Sequence, residues 1–137
     1  MGVILDSSVV ITGERRGNTV RQILEYVKTS CGEIEVGLSV VTVVELTHGI
    51  ERADTDVRRQ RRQAFVDELI RDVPVHPVTI DMARIAGHIE GEQEARGVSI
   101  AFEDLLIAAT ALQLGFGVAT GNVRHFRVVP GPLVVPV

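Results

Sequence analysis

Short apolar runs alternate with longer amphipathic segments along this chain, a pattern typical of proteins in which strands alternate with helices. The predicted strands lie at 2–6, 34–40, 75–78 and 117–120, with a last short strand near Val128 or at 133–135. The predicted helices occupy 7–11, 18–30, 41–53, 55–72, 80–96 and 103–114. This order predicts an α/β fold, a three-layer α/β/α sandwich with a mostly parallel central sheet. Without repeats or linkers, one domain should fill residues 1–137.

Several helix ends can be predicted from single residues. Ser7 or Ser8 can cap the first helix, because a serine hydroxyl readily accepts a hydrogen bond from a free backbone N–H. Gly97 and Gly115 directly follow two of the other helices, and Gly32 lies two residues after the end of a third. Glycine is common just after a helix, where the backbone often turns left-handed.

The longest predicted helix, at 55–72, carries a cluster of arginines on one side. Its apolar stripe is formed by Val57, Ala64, Phe65 and Leu69. The arginine cluster consists of Arg58, Arg59, Arg61 and Arg62. Such a cluster is usually a solvated helix face, and the alternative is a contact for RNA or for an acidic partner.

Four oxygen-bearing residues accompany the apolar segments: Asp6, Glu45, Asp104 and Asn122. Asp6 and Asn122 follow strands, and Asp104 opens a helix. Because ligand sites of open parallel sheets form at the carboxyl ends of the strands, we expect these residues to converge. Carboxylates brought together raise one another's pKa and need a compensating charge. A hard divalent cation such as Mg²⁺ or Mn²⁺ binds oxygen ligands of this kind.

Each of these residues also has a simpler interpretation. Asp6 could only cap the following helix, and Glu45 could lie on a solvated helix face. Asp104 could be favoured by the helix dipole alone, and Glu103 competes with it for either role. Asn122 could be only a turn residue.

Composition narrows the class of protein further. A net charge of −4 does not indicate nucleic-acid binding, although a bound cation would offset part of it. Cys31 is the only cysteine, which excludes an internal disulfide and a cysteine-rich zinc site. No basic leader and no membrane-length apolar run is visible, so we expect a cytoplasmic protein. The histidines lack the spacing of a zinc site, and no motif for a nucleotide cofactor is present. His125 could touch a substrate near Asn122 or simply pack.

Four segments, taken together, resemble the motifs of the PIN-domain family. They are 3–11, 44–50, 104–111 and 119–126, and their order spans nearly the whole chain. The compact length resembles the VapC type, the toxin half of bacterial toxin–antitoxin pairs. The resemblance implies a PIN-like sandwich and a metal-dependent endoribonuclease that acts on RNA.

The resemblance also implies roles for individual residues. Asp6, Glu45, Asp104 and Asn122 would form the catalytic set, and the three acids would hold Mg²⁺, with Mn²⁺ able to substitute. Ser8 and Thr120 would support the site through hydrogen bonds. The fourth family position is often Asp and here is Asn122, so a second metal would bind less firmly.

Partners are likewise implied by the resemblance. We expect a homodimer that is inhibited by a small antitoxin, whose C-terminal segment covers the active site. A basic side chain of that segment, an arginine by its fork geometry, would lie near the carboxylates. The helices that hold residues 43–50 and 57–69 would clamp the rest of the partner.

Two other classes of protein compete with this interpretation. One is a catalytically weak PIN-like module that binds RNA or protein in a regulatory role, which the three acids argue against. The other is a response-regulator receiver domain, which needs paired acids after the first strand and a lysine after the last. Asp6 stands alone and Lys28 is in the wrong place, which argues against a receiver domain.

Overall fold

Five parallel strands form the centre of the molecule, which the computed structural model describes over residues 1–137. The strands are β1 (Gly2–Leu5), β2 (Glu35–Ser39), β3 (Val75–His76), β4 (Gly117–Thr120) and β5 (Val134–Pro136). Their order in the sheet is β3-β2-β1-β4-β5, and every neighbouring pair is parallel. The predicted parallel sheet is confirmed, with β1 at its centre.

Helices cover both faces of this sheet. They are α1 (Ser7–Arg15), α2 (Val20–Cys31), α3 (Val40–Glu51), α4 (Asp56–Asp72), α5 (Ile80–Ala95), α6 (Phe102–Leu114) and α7 (Val123–Arg127). Val3 and Leu5 of β1 pack with α1 to α4 in one buried cluster, whereas Ile4 packs with α5 to α7 in another. Since side chains alternate along a strand, these clusters lie on opposite faces, and the three-layer sandwich is confirmed. None of the helices has the length and apolar character needed to cross a membrane.

Threonine side chains cap three of the helices, and two of the predicted glycines end helices. The side chains of Thr19, Thr55 and Thr79 each accept a hydrogen bond from the backbone N–H three residues on. Gly32 and Gly115 end α2 and α6 with φ of 89° and 69°, the left-handed region that glycine adopts without strain.

The first helix departs from its prediction at both ends. Neither Ser7 nor Ser8 caps it, because Asp6 occupies the capping position and both serines lie inside the first turn. The helix continues past Ile11 to Arg15. The Ser7 hydroxyl instead donates to Glu45 of α3, and the Ser8 hydroxyl donates to the carboxylate of Asp6, two residues before it.

The predicted apolar stripe of α4 was partly wrong. Val57 is 59% exposed and Ala64 is exposed, whereas Val66 is buried. The guanidinium of Arg62 turns inward and donates to the backbone carbonyl of Gly49 at 2.6 Å. The inward face of α4 therefore includes the aliphatic part of the Arg62 side chain. The predicted stripe contained only apolar residues and so omitted it.

The C-terminal part contains a helix that the sequence pattern did not predict. The short α7 has mostly polar residues, and it is anchored by the fully buried Phe126 rather than by local preference. A strand near Val128 was wrong, and the alternative at 133–135 is confirmed with a shift of one residue. The strand predicted at 75–78 is shorter and ends at His76.

Candidate active site

The central strand delivers Asp6 to the carboxyl edge of the sheet. The backbone N–H of Asp6 donates to the carbonyl of Ala119 at 2.9 Å, which extends the pairing of β1 with β4 by one residue. This register brings Asp6 beside Thr120, although the two are far apart in sequence. Asp6 is 3% exposed, so its carboxylate needs polar partners.

Two hydroxyl groups orient the Asp6 carboxylate. Ser8 Oγ and Thr120 Oγ1 donate to Asp6 Oδ2 at 2.6 and 2.8 Å. Both hydroxyls are fixed in turn, because Ser8 accepts from the Gly121 N–H at 3.1 Å and Thr120 from the Asn122 N–H at 2.8 Å. The side chain of Asp6 makes no capping hydrogen bond, so the interpretation as a simple helix cap was wrong. Its Oδ1 atom remains open to a ligand.

Glu45 reaches the same edge from the middle of α3. Ser7 Oγ donates to Glu45 Oε2 at 3.1 Å, while Glu45 Oε1 is buried without a hydrogen-bond partner. Burial raises the pKa of Glu45; the bond from Ser7 opposes this, and the charges of Asp6, Glu103 and Asp104 raise the pKa further. The half-buried Glu45 is therefore not an ordinary residue of a solvated helix face.

Asp104 approaches from the first turn of α6. Its Oδ2 lies 3.6 Å from Nδ1 of His125, which belongs to the unpredicted α7. Burial raises the pKa of Asp104, and the neighbouring charge of Asp6 raises it further. His125 lowers the pKa in part and Glu103 raises it. The sequence did not predict the contact between His125 and Asp104. Its only signal was that His125 follows Asn122 by three residues.

Glu103 and Asn122 both lie at the exposed margin of the site. Glu103 is exposed, yet its charge acts on both Glu45 and Asp104, so it stays a rival of Asp104. Asn122 is also exposed and contributes its backbone N–H, whereas its side chain makes no hydrogen bond to the carboxylates. The structure thus brings together Asp6, Glu45 and Asp104 and leaves the Asn122 side chain at the margin.

The donor chemistry of the site fits a hard divalent cation. No three acidic, histidine or cysteine side chains lie close enough together to make a complete metal site by themselves. Mg²⁺, however, usually keeps several waters and needs only one or two carboxylates. Asp6 Oδ1 and the unpartnered Glu45 Oε1 are available oxygens, and a cation would relieve the repulsion that raises the pKa of Glu45 and Asp104.

A groove begins at Glu45 and runs between α1, α3 and α4. This α1–α4 groove has a volume of ≈ 110 Å³. Its apolar wall is formed by Val10, Ile11, Leu46, Phe65 and Val66. Glu14 and Glu45 add negative charge, and Arg15 and Arg62 lie at its edges as well. Its mixture of apolar surface and carboxylates suits a peptide segment that carries apolar and basic side chains.

Comparison with known proteins adds family relationships to this geometry. The family model described as PIN domain matches residues 3–131. "Ribonuclease VapC1" of Rickettsia felis is 28% identical over 137 residues, which cover 100% of this chain and 97% of that protein. The "tRNA(fMet)-specific endonuclease VapC" of Salmonella typhimurium is 30% identical over 94 residues, 69% of each chain. The solved structure of VapBC-5 from Mycobacterium tuberculosis, a member of the VapBC family of toxin-antitoxin systems, superimposes with a TM-score of 0.77 at 25% identity. That superposition covers 99% of this chain and 98% of the other.

Proposed function

The chain belongs to the PIN domain family, in its VapC group, and from this membership we propose that it is a metal-dependent endoribonuclease and the toxin of a toxin–antitoxin pair. One observation carries the proposal: three carboxylates from distant parts of the chain converge at one sheet edge, and an oxygen of Glu45 is buried there without a partner. Such an arrangement costs stability, which indicates that it is kept for function. The alternative of a catalytically weak binding module is not favoured, because the relatives are named ribonucleases.

In this proposal Asp6, Glu45 and Asp104 hold Mg²⁺, and Mn²⁺ can substitute. The bound ion supplies an acidified water and offsets the charge that develops on the phosphate. Ser8 and Thr120 keep Asp6 in one rotamer, with Oδ1 directed away from the protein hydroxyls. Ser7 does the same for Glu45. The chain's own contribution is thus a set of oriented oxygens that needs little rearrangement.

Two neighbours adjust this set. Asn122 gives the fourth position an amide in place of a carboxylate, so a second metal ion should bind there less firmly than the first. His125 lies next to Asp104 and shares the space in which the RNA backbone would approach. Its exposed ring is placed to contact the substrate.

The direct test is cleavage of RNA by the purified chain. Cleavage should require Mg²⁺ or Mn²⁺ and stop in EDTA, because the site offers only oxygen ligands. Asp6→Asn and Asp104→Asn should each lower the rate by about 10²–10³-fold, the range seen when one charge-stabilising group is removed. Both variants should keep or raise their melting temperature without metal, because one of several repelling carboxylates is removed.

Glu103→Gln is the matched control for these variants, because it removes a neighbouring charge from the same helix turn. Its rate should stay within a few-fold of the parent. An equal loss in Glu103→Gln and Asp104→Asn would identify Glu103 as the ligand instead. Full activity in EDTA would remove the metal-dependent proposal.

The α1–α4 groove is the proposed site of the antitoxin. A partner segment with apolar side chains can cover Ile11 and Phe65 while an arginine reaches Glu45. The arginine fork matches carboxylate geometry and competes with the metal for the same oxygens. Inhibition by the partner should therefore weaken as Mg²⁺ rises. The similarity to a solved toxin–antitoxin complex supports this assignment.

A second copy of the chain is the other proposed partner. Val40 and Val44 lie one turn apart on α3 and are 38% and 68% exposed. Phe102, at the start of α6, is 60% exposed. Exposed apolar side chains on neighbouring helices are typical of surfaces that bury themselves in an interface. These residues support the homodimer and define its proposed contact surface.

A further inference from the structure

A second cavity is formed by other residues of α1. This α1–α2 pocket has a volume of ≈ 380 Å³, within the range of roughly 300–1,000 Å³ in which proteins bind small ligands. It lies between α1, the start of α2 and the end of β4. Its floor is tightly packed, because a Cβ atom at Gly13 would lie 2.5 Å from the side chain of Ile23. The pocket therefore has a firm base.

The pocket opens directly beside the carboxylates. Ser8 and Gly121 line it, and the same Ser8 hydroxyl donates to Asp6 Oδ2 at 2.6 Å. The Gly121 N–H holds that hydroxyl at 3.1 Å. A molecule bound in the pocket is thus separated from Asp6 by one side chain.

The charge of the pocket differs from that of the α1–α4 groove. No acidic side chain lines it, and Arg16 is its only charged side chain, although the whole chain carries a net charge of −4. The groove, in contrast, is lined by Glu14 and Glu45 as well as by Arg15 and Arg62. An anionic strand in the pocket therefore meets one arginine and no acidic side chain, whereas along the groove it meets two carboxylates.

Its polar and aromatic side chains are available for a ligand. The ring of Tyr26 is 54% exposed. The side chains of Thr12, Asn18 and Tyr26 make no hydrogen bond within the protein, and Arg16 has no ion-pair partner. A stacking ring, an amide and a guanidinium side by side are the groups with which proteins bind unpaired nucleotides.

We propose that the α1–α2 pocket binds one nucleotide of single-stranded RNA, next to the phosphate that is cleaved. Tyr26 stacks on the base, Asn18 hydrogen-bonds to its edge, and Arg16 contacts the adjoining phosphate. The pocket then selects the position of the cut. This inference rests on the proposed nuclease function and adds a specificity site to it.

Binding can be measured apart from cleavage. The full chain in EDTA is titrated against a fluorescent single-stranded RNA of randomised sequence, and anisotropy gives the affinity. Tyr26→Ala should bind about tenfold more weakly, the usual effect of losing one stacked base, and Tyr26→Phe should bind like the parent.

Neighbouring arginines provide a matched pair for the same titration. Arg16→Ala should weaken binding and make it less dependent on salt, because one phosphate contact is lost. Arg15→Ala changes the net charge equally but lines the α1–α4 groove, so it should bind RNA like the parent. Thermal melts of these exposed-site variants verify that they are folded.

Mapping of cut sites tests the base contact. RNA ends produced with Mg²⁺ are sequenced for the parent and for Asn18→Ala, and the variant should lose base preference at one position beside the cut. If the parent cleaves RNA but these variants bind and cut like the parent, the pocket proposal is wrong and the nuclease proposal stands. If the parent cleaves no RNA, the nuclease proposal fails, and the binding results in EDTA still decide whether the pocket holds a nucleotide. If Tyr26→Ala weakens binding of the protein partner but leaves RNA affinity unchanged, the pocket belongs to that partner and the proposal is wrong.

Discussion

At the scale of single residues, two of the three acids of the site, Asp6 and Glu45, are held by hydroxyl groups of small neighbours. Ser8 and Thr120 share one oxygen of Asp6, and Ser7 holds one oxygen of Glu45. The other oxygen of Glu45 has no partner in its buried position. The metal-free site therefore keeps a repulsion that the fold must tolerate.

That repulsion predicts how the metal-free chain responds to pH. The folded state raises the pKa of Glu45, so around and above the ordinary value of 4.5 it holds more protons than the unfolded state. The stability associated with Glu45 is thus present at acid pH and lost as pH rises through the raised pKa. Glu45→Gln should melt a few degrees higher than the parent at neutral pH, because the buried charge is removed. The gain should vanish at acid pH.

The measurement is a series of thermal melts in EDTA from acid to neutral pH. Glu92→Gln, which removes an exposed carboxylate of α5, is the control and should follow the parent throughout. A Glu45→Gln variant that is less stable than the parent at neutral pH would show that the carboxylate is structural.

The sequence predicted which acids would meet but not how they are held. Asp6 could be predicted because it follows a buried strand whose carboxyl end lies at the ligand edge of a parallel sheet, and Glu45 and Asp104 because each is a carboxylate within or beside an apolar helical segment. The Ser7 contact with Glu45 and the His125 contact with Asp104 depend on how α1 meets α3 and α7 meets α6. Packing between elements has no signal in local periodicity. The catalytic roles of these residues stay predictions.

At the scale of elements, the α1–α4 groove has an opening where α3 carries Gly49. A Cβ atom at Gly49 would meet nothing within 4 Å, so a larger side chain would project into the groove without displacing the protein. Arg62 binds the carbonyl of the same residue and keeps α4 against α3. The groove can therefore be filled by one substitution that leaves its walls in place.

Gly49→Leu should block the antitoxin while preserving the enzyme. Partner affinity should fall by about 5- to 150-fold, since overfilling a packed contact costs roughly 1–3 kcal/mol. Stability should rise by up to about 1 kcal/mol, because a glycine leaves a helix. RNA cleavage should be unchanged. Calorimetric titration with the partner, a melt and a cleavage assay provide the three readouts.

Gly87→Leu is the control, since this exposed glycine of α5 also has open space around its Cβ position and lies outside the groove. It should gain the same stability and keep full partner affinity. Unchanged affinity in Gly49→Leu would place the partner elsewhere.

Elements were predictable where periodicity and end signals agree. The predicted glycines end α2 and α6, and short apolar runs define the inner strands. The helix α4 was predicted, but its apolar stripe was partly wrong because its inward face includes an arginine stem; α7, which one buried phenylalanine holds in place, was not predicted. Both failures occur where tertiary contacts outweigh local preference.

At the scale of the whole molecule, the exposed valines of α3 predict a dimer. Size-exclusion chromatography with light scattering should give a molar mass twice that of one chain, which is 14.9 kDa. Val44→Glu should convert it to a monomer, because a charge in the centre of the proposed contact would be desolvated. Val57→Glu introduces the same charge at a similarly exposed valine of α4 and should leave the dimer intact. A monomeric parent would remove this part of the proposal.

The hydrogen bond between Thr120 and Asp6 joins residues that are 114 positions apart. Ribosomes add about 5–20 residues per second, so Asp6 is synthesised on the order of ten seconds before Thr120, the second hydroxyl that orients it. Parallel pairing of β1 with β4 is equally non-local and cannot begin earlier. A nascent chain therefore lacks the complete pair of hydroxyls on Asp6 until Thr120 has been synthesised. If the chain is the nuclease proposed here, this delay protects its own messenger RNA during synthesis.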